Sequence, residues 1–225
     1  MQLHADLTLP AVVEGGALPW VRSPIPGVDR RMLERDGDEV ARATSLVRYA
    51  PGSAFSAHVH GAGEEFLVLD GVFSDETGDF PAGFYVRNPP GSRHTPASAP
   101  GTVIFVKLRQ MPAQETRPLR VYTRDPALWK SAGPGIELAT LFEAPWERVE
   151  MLRLSRGHGE LRDTWPDGVE WFVVDGSIEV DGVAHAPGAW LRFPPGATVR
   201  IRAPDRAILY RKSGHLARGT RSATV

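Results

Sequence analysis

The chain has 225 residues, 26 basic and 27 acidic, for a formal net charge of −1, and 42% of it is hydrophobic. That balance excludes a disordered chain and leaves no basic block for nucleic acid. With no cysteine, disulfides, cysteine-held zinc and a thiol nucleophile are excluded as well. No stretch approaches the ~18 consecutive apolar residues of a membrane helix. Residues 1–10 lack the apolar run of a secretory signal. A cytoplasmic protein without membrane or nucleic-acid partners is expected.

In chain order, short apolar runs fall at 43–49, 65–69, 84–86, 102–108, 150–154, 169–174, 190–193, 198–202 and 207–210. They are rich in Val, Ile, Phe, Tyr and Trp and are bounded by Gly, Pro, Asp or Ser, which is the signature of strands. The 23 glycines and 20 prolines act as punctuation between them. Helical spacing with caps is scarce, and one turn within 125–130 is the only helix expected. Many short strands at regular spacing predict an all-β fold, a sandwich or closed barrel. The tail 211–225, with Arg211, Lys212, Arg218 and Arg221, reads as polar and frayed.

The chain also repeats itself. An offset of 105 relates Gly52 to Gly157, Gly71 to Gly176, Gly83 to Gly188, and the triplet Pro89-Pro90-Gly91 to Pro194-Pro195-Gly196. Glu65-Phe-Leu-Val-Leu-Asp-Gly71 matches Glu170-Trp-Phe-Val-Val-Asp-Gly176. An upstream element, 20–28, recurs at 129–136 with a slightly different offset. Chance does not hold six Gly and Pro positions in register, so the sequence is read as a tandem duplication. The expected domains are 1–114 and 115–225, joined by the stretch 111–120. Each is expected to close as a small β-barrel or jelly roll.

The first repeat carries His58-Val59-His60, then Glu64, then His94 after the Pro-Pro-Gly turn. Residues two apart on a strand share a face, so His58 and His60 project together. Glu64 returns on the neighbouring strand and His94 completes the set. Three imidazoles and a carboxylate suit a divalent transition metal: Zn, Ni, Mn or Fe(II). Glu65 competes for the carboxylate role. Strand parity admits only one of the two, and Glu64 is favoured because Glu65 has a counterpart, Glu170, in the second repeat.

This pattern resembles the two motifs of the cupin superfamily. The segments Gly63-Glu-Glu-Phe-Leu-Val-Leu-Asp-Gly-Val-Phe-Ser-Asp-Glu76, Tyr85-Val-Arg-Asn-Pro-Pro-Gly-Ser-Arg-His94 and Ile104-Phe-Val-Lys-Leu-Arg109 look like the ChrR-like cupins. That group is named for the C-terminal domain of an anti-sigma factor and also contains aromatic-ketone dioxygenases. The resemblance implies tandem double-stranded β-helix barrels, with His58, His60, Glu64 and His94 as metal ligands. The anti-sigma factors carry a zinc-binding helical module with His and Cys ligands ahead of the cupin. This sequence has no cysteine, so sigma-factor binding is not expected.

In the second repeat the ligand positions become Asp163, Trp165, Val169 and Val199, which hold no transition metal. One metal per chain is therefore expected. Trp165, Val169 and Val199 should fill the second barrel as core, leaving it as scaffold, intramolecular partner or lid. His158, His185 and His215 match no ligand position and read as loop or surface histidines. Around the metal, Phe66 and Val68 share the parity of Glu64 and, with Phe55, suit an apolar substrate. Arg87 and Arg93 bracket the turn before His94 and are candidates for an anionic substrate group, although Arg192 at the Arg87 position favours a structural role. The expected activity is that of a metal-dependent dioxygenase, with Fe(II), acting on a small ketone, enol or phenol. The alternative is a non-catalytic sensor or ligand-binding module, and a purely structural zinc is a third reading. A homodimer is expected by analogy with other cupins.

Overall fold

The runs punctuated by Gly and Pro form strands, as their β-branched and aromatic content requires. The computed structural model describes residues 1–157 and 161–219. Among the described residues, helix is confined to the 3-10 turns Gly15–Ala17 and Pro126–Leu128 and the short helix Leu216–Gly219. The expected turn within 125–130 is thus present. Asp125 caps it, its carboxylate accepting from the Ala127 amide.

The chain forms two compact units. The first comprises residues 1–5 and 18–124, and the second 6–17 and 125–225. The main sheet of the first unit runs Val28–Gly37, Ala41–Tyr49, Thr102–Leu108, Glu64–Asp75, Phe84–Asn88, Leu119–Tyr122. In the second unit the order is Ile136–Ala144, Glu147–Leu154, Ala207–Ser213, Val169–Gly176, Ala189–Phe193, Ala11–Glu14. These are the same positions of the repeat in the same order. The cores repeat as well: Phe66, Val68, Phe73, Val86, Ile104 and Val106 in the first unit, and Trp171, Val173, Ile178, Leu191 and Leu209 in the second.

The division differs from the expected boundary between 114 and 115. The Ala11–Glu14 strand pairs with Ala189–Phe193, with Ala11 opposite Arg192. The Leu119–Tyr122 strand pairs with Phe84–Asn88, with Leu119 opposite Arg87. Arg87 and Arg192 are repeat equivalents, so the two edge strands are equivalent too, and each completes the sheet of the other repeat. The cause is the edge itself. Each sheet would otherwise end in a row of unpaired amides and carbonyls, and the strand that leads into the opposite repeat covers it.

Two other expectations change. Arg211 and Lys212 lie within the Ala207–Ser213 strand rather than in a frayed tail. Lys212 is fully buried and paired with Glu147 at 3.0 Å. Residues 220–225 and His158 lie outside the described residues. His185 is a buried strand residue rather than a loop or surface histidine, whereas His215 does lie in a loop, after the Ala207–Ser213 strand. The His185 Nδ1 sits 2.6 Å from Glu14 Oε1, and His215 Nε2 lies 3.1 Å from the buried Glu170 Oε1. Both carboxylates are distant in sequence; Glu170 is buried with His215, while Glu14 is about half exposed.

Candidate metal centre

The backbone that carries the histidines is fixed by the Pro-Pro-Gly turn. The Gly91 amide donates to the His60 carbonyl at 2.8 Å and the His60 amide to the Ser92 carbonyl at 2.9 Å. His94 then lies directly opposite His58 in a two-stranded ladder. Residues 61–63, which lead to Glu64, are pinned in turn: the Arg109 amide donates to the Gly63 carbonyl and the Met111 amide to the Ala62 carbonyl. Glu64 opens its long strand opposite Asn88.

These constraints bring all four expected ligands together. Their ligand atoms lie within 4.8 Å of one another, and the three imidazole rings stand edge to face at centroid separations of 4.6 to 4.9 Å. His60, Glu64 and His94 are buried, and His58 is exposed. Among the described residues no other group of three or more such donors occurs.

The residues fit a divalent transition ion. The Nε2 atoms of His60 and His94 are buried and make no hydrogen bond. They lie 3.8 and 3.7 Å from Glu64 Oε1, too far to bond to it. Ligands about 2.0–2.2 Å from one ion stand roughly 3–4 Å apart. In His58 and His94 the other ring nitrogen has a partner: His58 Nδ1 lies 3.2 Å from the Ser56 carbonyl and His94 Nδ1 3.3 Å from Asp75 Oδ2. Those acceptors place the ring proton on Nδ1 and leave Nε2 as the free lone pair.

Burial sets the protonation of the apo site. It pushes His60 down to about 3, helped by the neighbouring imidazoles, and lowers His94 as well. Both are therefore neutral and ready to ligate at neutral pH. Burial also raises Glu64 to about 7, against the opposing pull of Asn88 and Arg120.

Around the ligands, Phe66 and Val68 are buried as expected, and Phe55 packs on the same core. Besides Asp75 and Arg120, three contributors escaped sequence reasoning. Phe73 packs on Phe66 at 4.4 Å and on His94 at 5.7 Å between centroids. Tyr49 stacks on Phe55 at 4.7 Å. Burial and the nearby Glu64 carboxylate raise its phenol pKa, so it stays protonated. Asn88 Nδ2 donates to Glu64 Oε1 at 3.2 Å. The two arginine candidates are not brought to the site. Arg87 is fully buried, and its guanidinium donates to Glu65 Oε2 at 2.7 Å, on the face of the strand opposite Asn88. Arg93 is exposed beside Val59, opposite in facing to the His58–His94 pair. Glu65 also accepts from the Tyr85 hydroxyl at 2.6 Å, which makes it a structural carboxylate.

The second unit keeps the frame without the ligands. Gly196 donates to the Trp165 carbonyl at 2.8 Å, the counterpart of the Gly91–His60 bond. Val169 and Val199 are buried, Trp165 packs against them, and Asp163 is exposed. One polar pair also enters this interior: Arg211 donates twice to Glu150 Oε2 and lies over Trp165 and Trp171.

Residues 9–112 match the family of ChrR Cupin-like domains. A search of curated proteins finds no match. Among solved structures, a candidate dioxygenase from Nostoc punctiforme PCC 73102 is 16% identical, with a TM-score of 0.72 over 93% of this chain and 84% of its own. Bacterial pirin YhhW from Escherichia coli, in complex with nickel(II), is 14% identical, with a TM-score of 0.65 over 91% and 98%. Salicylate 1,2-dioxygenase from Pseudoaminobacter salicylatoxidans, as gentisate adducts, is 14% identical, with a TM-score of 0.63 over 96% and 83%. At such identities the likeness is one of fold. The chain has the cupin fold, and its residues 9–112 resemble the ChrR Cupin-like domains.

Proposed function

We propose that the protein is a metal-dependent dioxygenase-type cupin acting on a small aromatic or enolisable substrate, a ketone, enol or phenol. The observation that carries this reading is the convergence of three imidazoles and one carboxylate at a point with an exposed edge at His58 and an aromatic wall behind. Four protein ligands leave positions open on a five- or six-coordinate ion. A redox-active divalent ion in that cage supplies Lewis-acid polarisation of a chelating oxygen and electron exchange with O₂.

The chain's own residues do the rest. Phe66, Phe73 and Val68, buried in the packed core, exclude water from the inner side of the cage. The Tyr49 phenol, whose pKa is raised by burial and by the nearby Glu64 carboxylate, keeps its O–H as a donor. Asp75 keeps the His94 ring in the tautomer that ligates. The dioxygenases among the structural neighbours support this reading.

The test is to purify the protein without oxygen, load it with Fe(II), and follow O₂ uptake over a panel of diketones and hydroxyaryl ketones. Substrate-dependent uptake that His60→Ala abolishes is the expected result. Full zinc occupancy on isolation, with no uptake after iron loading, would overturn it in favour of a ligand-binding module.

A further inference from the structure

The four ligands come from the first repeat, yet the groups that hold them lead to a residue outside it. Asn88, almost fully buried, donates to Glu64 Oε1, and its own Oδ1 accepts from Arg120 Nη2 at 2.8 Å. Asp75, which holds the His94 ring, lies 4.0 Å from the same Arg120 Nη2. The guanidinium is anchored by bonds from Nη1 to the Arg87 and Leu119 carbonyls at 3.0 and 2.9 Å, and it lies over the Phe80 ring. Arg120 thus touches the supports of two ligands from one position, on the strand that leads into the second repeat.

The repeat gives an independent control. In the second unit Glu64 and His94 become Val169 and Val199, and the supporting residues change with them. Asn88 is matched by Phe193, which pairs with Val169 as Asn88 pairs with Glu64. Asp75 is matched by Val180, and Arg120 by Val12, opposite Leu191 as Arg120 is opposite Val86. The Pro-Pro-Gly frame and the buried Glu65–Arg87 positions persist as Glu170 and Arg192. Residues needed by the fold are kept in both repeats, whereas Asn88, Asp75 and Arg120 occur only where the ligands occur.

We infer that Arg120 is a positioning residue of the metal centre, orienting Glu64 through Asn88 and His94 through Asp75. This rests on the metal-centre reading above. It places part of the site beyond residue 112, where the family match ends. A cupin domain cut at that match retains all four ligands and lacks the group that aligns two of them.

The experiment uses the full chain with Co(II) as the probe, read by its visible ligand-field spectrum and by competition against a chromophoric chelator. Arg120→Val, the residue present in the other repeat, should weaken Co(II) by about 10–100-fold and alter the spectrum. Arg120→Lys keeps the charge but not the planar fork, and should recover only part of the loss. Asn88→Ala should weaken binding, and combining it with Arg120→Val should cost less than the two losses added, since both act on Glu64. Thermal unfolding of each variant without metal establishes that it folds. If Arg120→Val unfolds, Arg120→Lys alone and in combination with Asn88→Ala still decides the matter. Wild-type affinity and spectrum in folded Arg120→Val, or full additivity with Asn88→Ala, would overturn the positioning role and leave the metal centre standing. Failure of the wild-type chain to bind Co(II) would overturn the metal centre itself.

Discussion

Four glycines at repeat-related positions share one backbone conformation, with φ of +71° and +73° at Gly71 and Gly176 and +82° and +83° at Gly91 and Gly196. They differ in what a side chain would meet. A Cβ on Gly71 would overlap the Gly101 carbonyl oxygen, 2.9 Å from its carbon and 3.0 Å from Thr102 Cα. That carbonyl already accepts from the Val72 amide, so it has no freedom to turn away. A Cβ on Gly176 would meet the Arg206 carbonyl in the same way, whereas those on Gly91 and Gly196 would meet nothing within 4 Å. An alanine forced into the left-handed region costs roughly 1–2 kcal/mol. Some of that is returned, about 0.4–1 kcal/mol, because the unfolded chain loses freedom. Gly91→Ala and Gly196→Ala should therefore cost about 1 kcal/mol. At Gly71 and Gly176 the adjoining strand must also shift, so Gly71→Ala and Gly176→Ala should each cost ~4 kcal/mol or more, among the largest losses a single substitution gives. Urea unfolding followed by circular dichroism measures the difference. Equal midpoints for Gly71→Ala and Gly91→Ala would refute the steric argument and leave only backbone strain.

Elemental analysis of the purified protein should give one equivalent of metal per chain, because Val169 and Val199 stand where ligands would be; two equivalents would contradict this. His58→Ala should lower that content without altering unfolding of the second unit. The raised Glu64 means that binding displaces a proton below pH about 7, so affinity should fall about tenfold per unit on acidification. A flat affinity between about pH 8 and about pH 6 would exclude Glu64 as the ligand that loses its proton. In the metal-free protein the sign reverses for that group. The folded state keeps a proton that the unfolded state releases, so Glu64 stabilises most below about 4.5 and its contribution is lost as pH rises through about 7. His60 acts oppositely, with stability falling as pH drops from 6.5 toward about 3. Phe66→Ala, at the centre of the first core, should cost about 3–5 kcal/mol in chemical unfolding.

How far the sequence could be read depended on how local the determinant was. The strands, the repeat and the ligands were legible because each rests on spacing within one segment, such as His58 with His60 or Gly91 with His94. Phe73 and Asp75 were hidden by a bulge. Leu69 is skipped in the ladder, so parity counted from Glu64 reverses beyond Val68 and turns Phe73 and Asp75 inward. The counterpart of Leu69, Val174, is skipped in the second unit, a sign that the irregularity belongs to the repeat. Asn88 and Arg120 needed inter-strand register, which one sequence does not carry. The inward histidines were missed because Glu14 and Glu170, which hold His185 and His215, lie far along the chain. The exchange of edge strands was invisible for a related reason. The equivalence of 11–14 and 119–122 shows only in their pairing opposite Arg192 and Arg87, and so does the sheet that each one joins.

That exchange governs what becomes of the protein if it is cut between repeats. Either fragment would keep a spare strand and a bare rim, and alone it would aggregate or complete itself with a second copy of the same fragment. Supplied together, the two pieces should reassemble without a covalent link, since each holds the closing stave of the other.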